Sequence, residues 1–284
     1  MVRKLIADEF RSIWRQWRSI LLPGLLVLFI SLITIALSLP IISTIGQLTS
    51  TLAAVVIVAA VIILPIINYY RKLYGNQGYL TMTLPASGRQ LYWSRFWTGV
   101  FWFLIAVGSV FIIAGLFSLT TDISEGRQLF TGIRGAWQAF LSTNAPFYVR
   151  LLPVAAILLG IFSTVTQYAF VITKGSEARF HGMGRLGGPV IVYIITYLLS
   201  QAASIIGLLL IPLGVRFSLG SDGETITGIQ WVAESSWSSL RNAILGIEKS
   251  TFTLGLGFVL TLVVLYTVYI FLTIRSIERH TSLR

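Results

Sequence analysis

The sequence has no cysteine, only two histidines, and only ten acidic residues among 284. The missing thiols exclude disulfides, thiolate metal sites and a cysteine nucleophile. The two histidines, His181 and His280, have no paired carboxylates near them in sequence. Among the other motifs, no Gly-x-Ser-x-Gly elbow, His-Glu-x-x-His or phosphate-cradling Gly-x-x-x-x-Gly-Lys-Ser/Thr occurs, since Lys174-Gly175-Ser176 lacks the upstream glycine loop. Residue types therefore point away from an enzyme: neither catalytic groups nor a resident cofactor or metal is expected in this chain. Charge of either sign is scarce at 11%, against about 25% in soluble domains.

Apolar residues fill that space, at 55% of the chain with mean hydropathy +0.83. They form six uncharged runs, at 20–39, 52–67, 96–119, 151–173, 189–213 and 252–274. A spanning helix takes about 20 such residues, and one central charge costs about 2.5–3.5 kcal/mol. The reading is an all-α integral membrane protein with one domain over residues 1–284, its ionisable residues confined to the joints between spans.

A net charge of +11 suggests nucleic acid in a soluble chain, yet here the distribution assigns it to the bilayer. With the N-terminus inside, the inner segments hold 15 basic and four acidic residues, while the outer joints hold six of each. Cytoplasmic joints are enriched in Lys and Arg. Both termini are therefore expected in the cytoplasm, and nucleic acid is not an expected partner.

Ahead of the first run, Val2, Ile6, Phe10, Ile13, Trp17 and Ile20 repeat at near-helical spacing, with Arg11, Arg15 and Arg18 on other positions. This predicts an amphipathic helix over 1–19 lying in the headgroup plane, with a cytosolic extension of the first span as the alternative. A cleaved signal peptide is not expected, because the run is long and starts late. The joint 40–51 is short and predicts a tight hairpin. Ser87 and Gln90 have capping-box spacing, so the third helix should begin near Gly88. The outer joints 120–150 and 214–251 hold Trp137, Trp231 and Trp237, matching an aromatic belt, and the stretch 228–247 should form short interfacial or re-entrant helices and not a seventh span.

Polar residues inside the spans fall in stripes: Gly160, Ser163, Thr164 and Gln167 on the fourth, and Thr196, Ser200 and Ser204 on the fifth, near Gln201. Small and hydroxylated residues at this spacing pack helices together; the alternative is a substrate path, to which Trp102 on the aromatic-rich third span could also belong. Without intramembrane carboxylates or basic residues, ion coupling has no evident carrier, although uncharged sites of hydroxyls and carbonyls remain open to it.

Within the joint 68–95, Gly75-Asn-Gln-Gly-Tyr-Leu-Thr-Met-Thr-Leu-Pro-Ala-Ser-Gly-Arg-Gln-Leu91 resembles the cytoplasmic loop of bacterial ABC-2 type ABC transporter permeases. Gly78, Tyr79, Leu80, Thr81, Thr83, Leu84, Pro85, Ser87 and Leu91 fall on the recurring pattern; Gln77 stands where the group often has an acid. The resemblance implies a type V exporter-like permease fold with an N-terminal interfacial helix and six spans in a bacterial plasma membrane. It also implies a second permease, the same or homologous, and two ATP-binding subunits that carry ATP and Mg. The loop would be the coupling segment, with Tyr74, Tyr79 and Leu80 as apolar anchors, Arg71 and Lys72 at its rim, and Asn76, Gln77 and Gly78 between them. The implied function is export of a hydrophobic or amphipathic compound, peptide or lipid. The alternatives are a non-transporting sensor or scaffold partnered with an ATPase, and an ion-coupled secondary carrier.

Overall fold

A computed structural model describes residues 2–37, 40–75, 78, 87–142, 147–219, 226–245 and 251–279. Six of the described helices are long and apolar enough to cross a membrane. They are α1 (Val2–Ala36), α2 (Pro40–Leu73), α3 (Gly88–Ser124), α5 (Phe147–Gly175), α6 (Gly184–Leu210) and α8 (Gly257–Arg279). The short helices α4 (Thr131–Ser142) and α7 (Ser236–Ile244) lie in the two long joints. The described residues divide into two compact units, one up to Ala139 and the other from Phe140 onward.

In the first unit, α1, α2 and α3 pack on one another pairwise. Each runs well past its uncharged segment: α3 has 37 residues, about 55 Å at 1.5 Å per residue against a hydrocarbon core of about 30 Å. Helix α1 is continuous for 35 residues through Pro23, so the expected headgroup-plane helix over 1–19 is instead the first half of the first span's own helix. The reason is packing. Ile13 and Trp17 join Val61 of α2 and Trp102 and Ala106 of α3 in a buried cluster, which removes the apolar face that a surface helix would leave in lipid. Further along, Leu28, Leu32 and Ile35 pack on Ala53 and Ile57, closing the hairpin that the short joint predicts.

Helix α3 starts where the capping box places it. Ser87 Oγ accepts from Gln90 N and the Gln90 side chain accepts from Ser87 N, both at 3.3 Å. Two orphan donors of the first turn are thereby satisfied.

The second unit is built on α5, α6 and α8. Helices α6 and α8 approach closely at Gly207 and Gly257: a Cβ on Gly207 would lie 2.6 Å from Phe258 Cα and 2.5 Å from Thr261 Oγ1. Thr261 Oγ1 donates to Ala203 O across the helix pair at 2.8 Å. Small residues and hydroxyls serve here the role they have in membrane helix pairs generally.

The joint between α6 and α8 holds a structure that the all-helical expectation lacks. Strands β1 (Gly214–Leu219), β2 (Ile226–Val232) and β3 (Thr251–Gly255) form an antiparallel sheet in the order β2-β1-β3. The sixth helix therefore begins at Gly257, and residues 252–255, read from sequence as the start of the span, belong to β3. Val215 and Phe217 pair with Trp231 and Ile229 on one side and with Leu254 and Phe252 on the other, giving an alternating apolar row. The edge of β3 is tied to α7: Gly255 N donates to Ser236 Oγ at 2.7 Å and Thr253 N to Ser239 Oγ at 2.9 Å. Such cover removes free donors that would template unwanted pairing.

Candidate functional site

The loop read as a coupling segment hangs from the end of α2 and the start of α3. Asn76, Gln77, Tyr79 and Leu80, with the rest of the resembling stretch to Ala86, lie outside the described residues. Gly78 is buried, its N–H donating to Gly75 O at 2.8 Å. Arg71 is exposed on the last turn of α2. The neighbouring Tyr74 is only 7% exposed, so it packs inside the unit and does not project as an anchor. Lys72 is likewise buried, and its Nζ is 3.0 Å from Asp8 Oδ2 on α1, an internal tie in place of a rim charge.

The tie at Lys72 has a counterpart at the other end of the loop. Arg95 Nε on α3 lies 3.2 Å from Glu9 Oε1 on α1, with both side chains under a tenth exposed. Its Nη1 donates to Tyr69 O at 3.4 Å, and the guanidinium lies over the Tyr69 ring at 5.8 Å. Ser12 Oγ donates to Asn68 Oδ1 at 3.4 Å. Asp8 and Glu9, adjacent on α1, thus hold both stems of the loop through one cation each. Glu9 and Arg95 were assigned to joints from sequence; they sit buried between helices because the helices extend beyond their apolar runs. A signal for this was present. Glu9 falls on the Ile6–Ile13–Trp17 side of its helix, and an acid on an apolar stripe needs a buried partner.

A second carboxylate junction lies in the other unit. Glu177, in the turn between α5 and the 3-10 helix Ala178–Met183, accepts from Lys174 Nζ and from Ser276 Oγ of α8, each at 2.7 Å. Arg179 Nε is 3.4 Å from its other oxygen. Burial alone pushes this carboxyl up, but the bonds from Lys174 and Ser276 and the charges of Lys174 and Arg179 outweigh it and hold it below the ordinary range.

The residues read as a possible substrate path divide. Trp102 is fully buried in the core of the first unit. Thr196 and Ser200 are buried on α6, and the hydroxyls of Thr196, Ser200 and Ser204 each donate to a carbonyl one turn back on their own helix. Packing is the role this geometry supports for that stripe. Gln167 is half-buried on α5 and Gln201 is exposed on α6. Among the described residues, no group of three His, Asp or Glu side chains could hold a metal ion.

Six long apolar helices, short helices in the joints and carboxylate-locked helix ends define a helical multi-pass membrane protein. Comparison with protein-family models, with curated proteins and with solved structures finds no match.

Proposed function

We propose that this chain is the membrane subunit of an ATP-driven transporter of the ABC-2 permease kind, exporting a hydrophobic or amphipathic compound from the cytoplasm. A second permease and two separate ATP-binding subunits complete the assembly, and the latter carry ATP and Mg. The observation that carries the reading is the double tie of the loop stems. Lys72 and Arg95 bracket the loop and are held by Asp8 and Glu9 of a single helix. A force applied to the loop by a cytosolic ATPase therefore reaches α1, α2 and α3 together, as a coupling device requires. The Glu9–Arg95 pair is buried on both sides, and a packed contact of that kind has discrete arrangements and transmits displacement with little slack.

The sequence of the loop supports the same reading through Gly78, Tyr79, Leu80, Thr83, Leu84, Pro85 and Ser87. The apolar runs carry no charged residue that could serve ion coupling, which supports an energy source outside the chain.

The test is purification of the complex from native membranes, followed by reconstitution in proteoliposomes. ATP-dependent movement of a fluorescent amphipathic dye is expected, and the pair Tyr79→Asp and Leu80→Asp should abolish it while leaving membrane insertion intact. Nucleotide hydrolysis by the purified chain alone, or dye movement unaffected by that pair, overturns the proposal. The sheet β2-β1-β3 with its exposed Trp231 favours one alternative, a ligand-sensing subunit whose ATPase partner does regulatory work. Hydrolysis stimulated without any flux would select it.

A further inference from the structure

Between α1 and α3 runs a groove of about 660 Å³, lined chiefly by Ile6, Phe10, Trp97, Phe101 and Leu104, with Arg11 on its wall. Trp97 and Phe101 are about half exposed within it. Its depth can be read from neighbouring contacts. Glu9 pairs with Arg95, the last charged residue before the uncharged run of α3. One residue further on, the Phe10 ring stacks on Trp102 at 5.2 Å and meets Phe101 edge-on at 5.5 Å. From Phe10 onward, α1 therefore lies beside the uncharged part of α3.

That placement makes the arginines of α1 anomalous. Arg11, Arg15 and Arg18 recur at helical spacing and form one exposed stripe. Among the described residues none of the three has an ion pair or hydrogen bond. A guanidinium beside hydrocarbon is costly unless it meets an anion or reaches water. Side chains of a helix lean toward its N-terminus, so these three lean back toward the Glu9–Arg95 level, where headgroups would lie, while their stems stay along the apolar surface.

We propose that this groove and its arginine edge bind an anionic phospholipid, one acyl chain lying against Phe10, Trp97, Phe101 and Leu104 and the phosphate on Arg11 with Arg15, its neighbour one turn along. Both halves of the site are needed to recognise such a molecule. The apolar wall alone takes any chain, and a small free anion gains nothing from the aromatic wall. The inference goes beyond the transporter reading and does not depend on it, since it concerns binding alone.

The tryptophans at the groove report its occupancy, because bromine on an acyl chain quenches indole fluorescence on contact. The full chain is reconstituted in phosphatidylcholine with increasing amounts of chain-brominated phosphatidylglycerol or, separately, chain-brominated phosphatidylcholine. Half-quenching is expected at a lower fraction of the anionic lipid, about fivefold for each arginine engaged. Arg11→Gln with Arg15→Gln should bring the two curves together, and Trp97→Phe, which leaves the charge intact, should remove part of the quenchable signal without altering the preference. Equal curves in the unaltered chain, or a preference that survives the double arginine change, overturns the proposal. So does a disulfide between two chains carrying Trp97→Cys, clean in a protein without native cysteine, when found with little quenching by either lipid. A second copy would then fill the groove.

Discussion

Each unit of this protein gathers three helix ends around carboxylates, but the two junctions are made differently. In the first, two adjacent carboxylates on one helix pair with different helices, the exposed Asp8 with Lys72 and the buried Glu9 with Arg95, and Thr98 and the charge of Lys72 add to the hold on Glu9. In the second, Glu177 stands in a turn and gathers Lys174, Arg179 and Ser276 around a single carboxylate. Glu9 and Arg95 are both buried, so neither member can exchange its partner for water. A carboxylate with several partners, one of them the exposed Arg179, can lose a contact and keep the others. The first arrangement suits a joint that transmits force, and the second a joint that holds a turn in place.

Removing one member of the Glu9–Arg95 pair is the largest single perturbation. Arg95→Ala leaves a buried charge and should destabilise the first unit by about 3–5 kcal/mol, read as a fall in the thermal transition in detergent. Combining it with Glu9→Ala should recover much of that loss. A double change as costly as the single one would show that the pair is not the tie it looks.

The hub in the second unit should respond less to substitution and more to acid. Glu177→Gln forfeits charge-assisted bonds and should cost about 1.5–3 kcal/mol. Because the folded carboxyl is held below its ordinary value of 4.5, its contribution is present above that pH and fades as acid protonates it below. The Glu177→Gln variant should therefore lose part of the acid sensitivity of the wild type, and parallel pH–stability curves for the two would break the comparison.

A third change probes the helix packing at the other end of the α6–α8 pair. Gly207→Val places atoms against the backbone of α8 at Phe258, and overpacking of this kind costs about 1–3 kcal/mol. It should lower the thermal transition without changing the acid response. The smallest effect is expected at the start of α3, where Ser87→Ala removes the reciprocal cap at a cost of about 0.5–2 kcal/mol. Hydrogen exchange confined to the first turn of α3 would register it.

Much of the membrane architecture was legible from hydropathy, because hydrocarbon tolerates only long uncharged helices and the six runs announce them. The start of α3 was legible to the residue, since a capping box is a local device written in two side chains. The helix ends were not. Charged residues flanking a run look like solvated joints until the neighbouring helices are in place, and only then do Glu9 and Arg95 become a buried pair. The sheet escaped for a related reason: its strands are short, and β1 is held between β2, next in the chain, and β3, which follows only after α7.

The sequence by itself determined how many helices are apolar enough to cross a membrane, where the capped one begins and which segments carry the positive charge, because those follow from local composition and spacing. Tertiary structure alone decided that the first 19 residues continue the first long helix, that Lys72 and Tyr74 face inward, and that Glu177 reaches Ser276 on the last helix. Each of those depends on which surfaces meet, and burial is a property of the meeting and not of either surface alone.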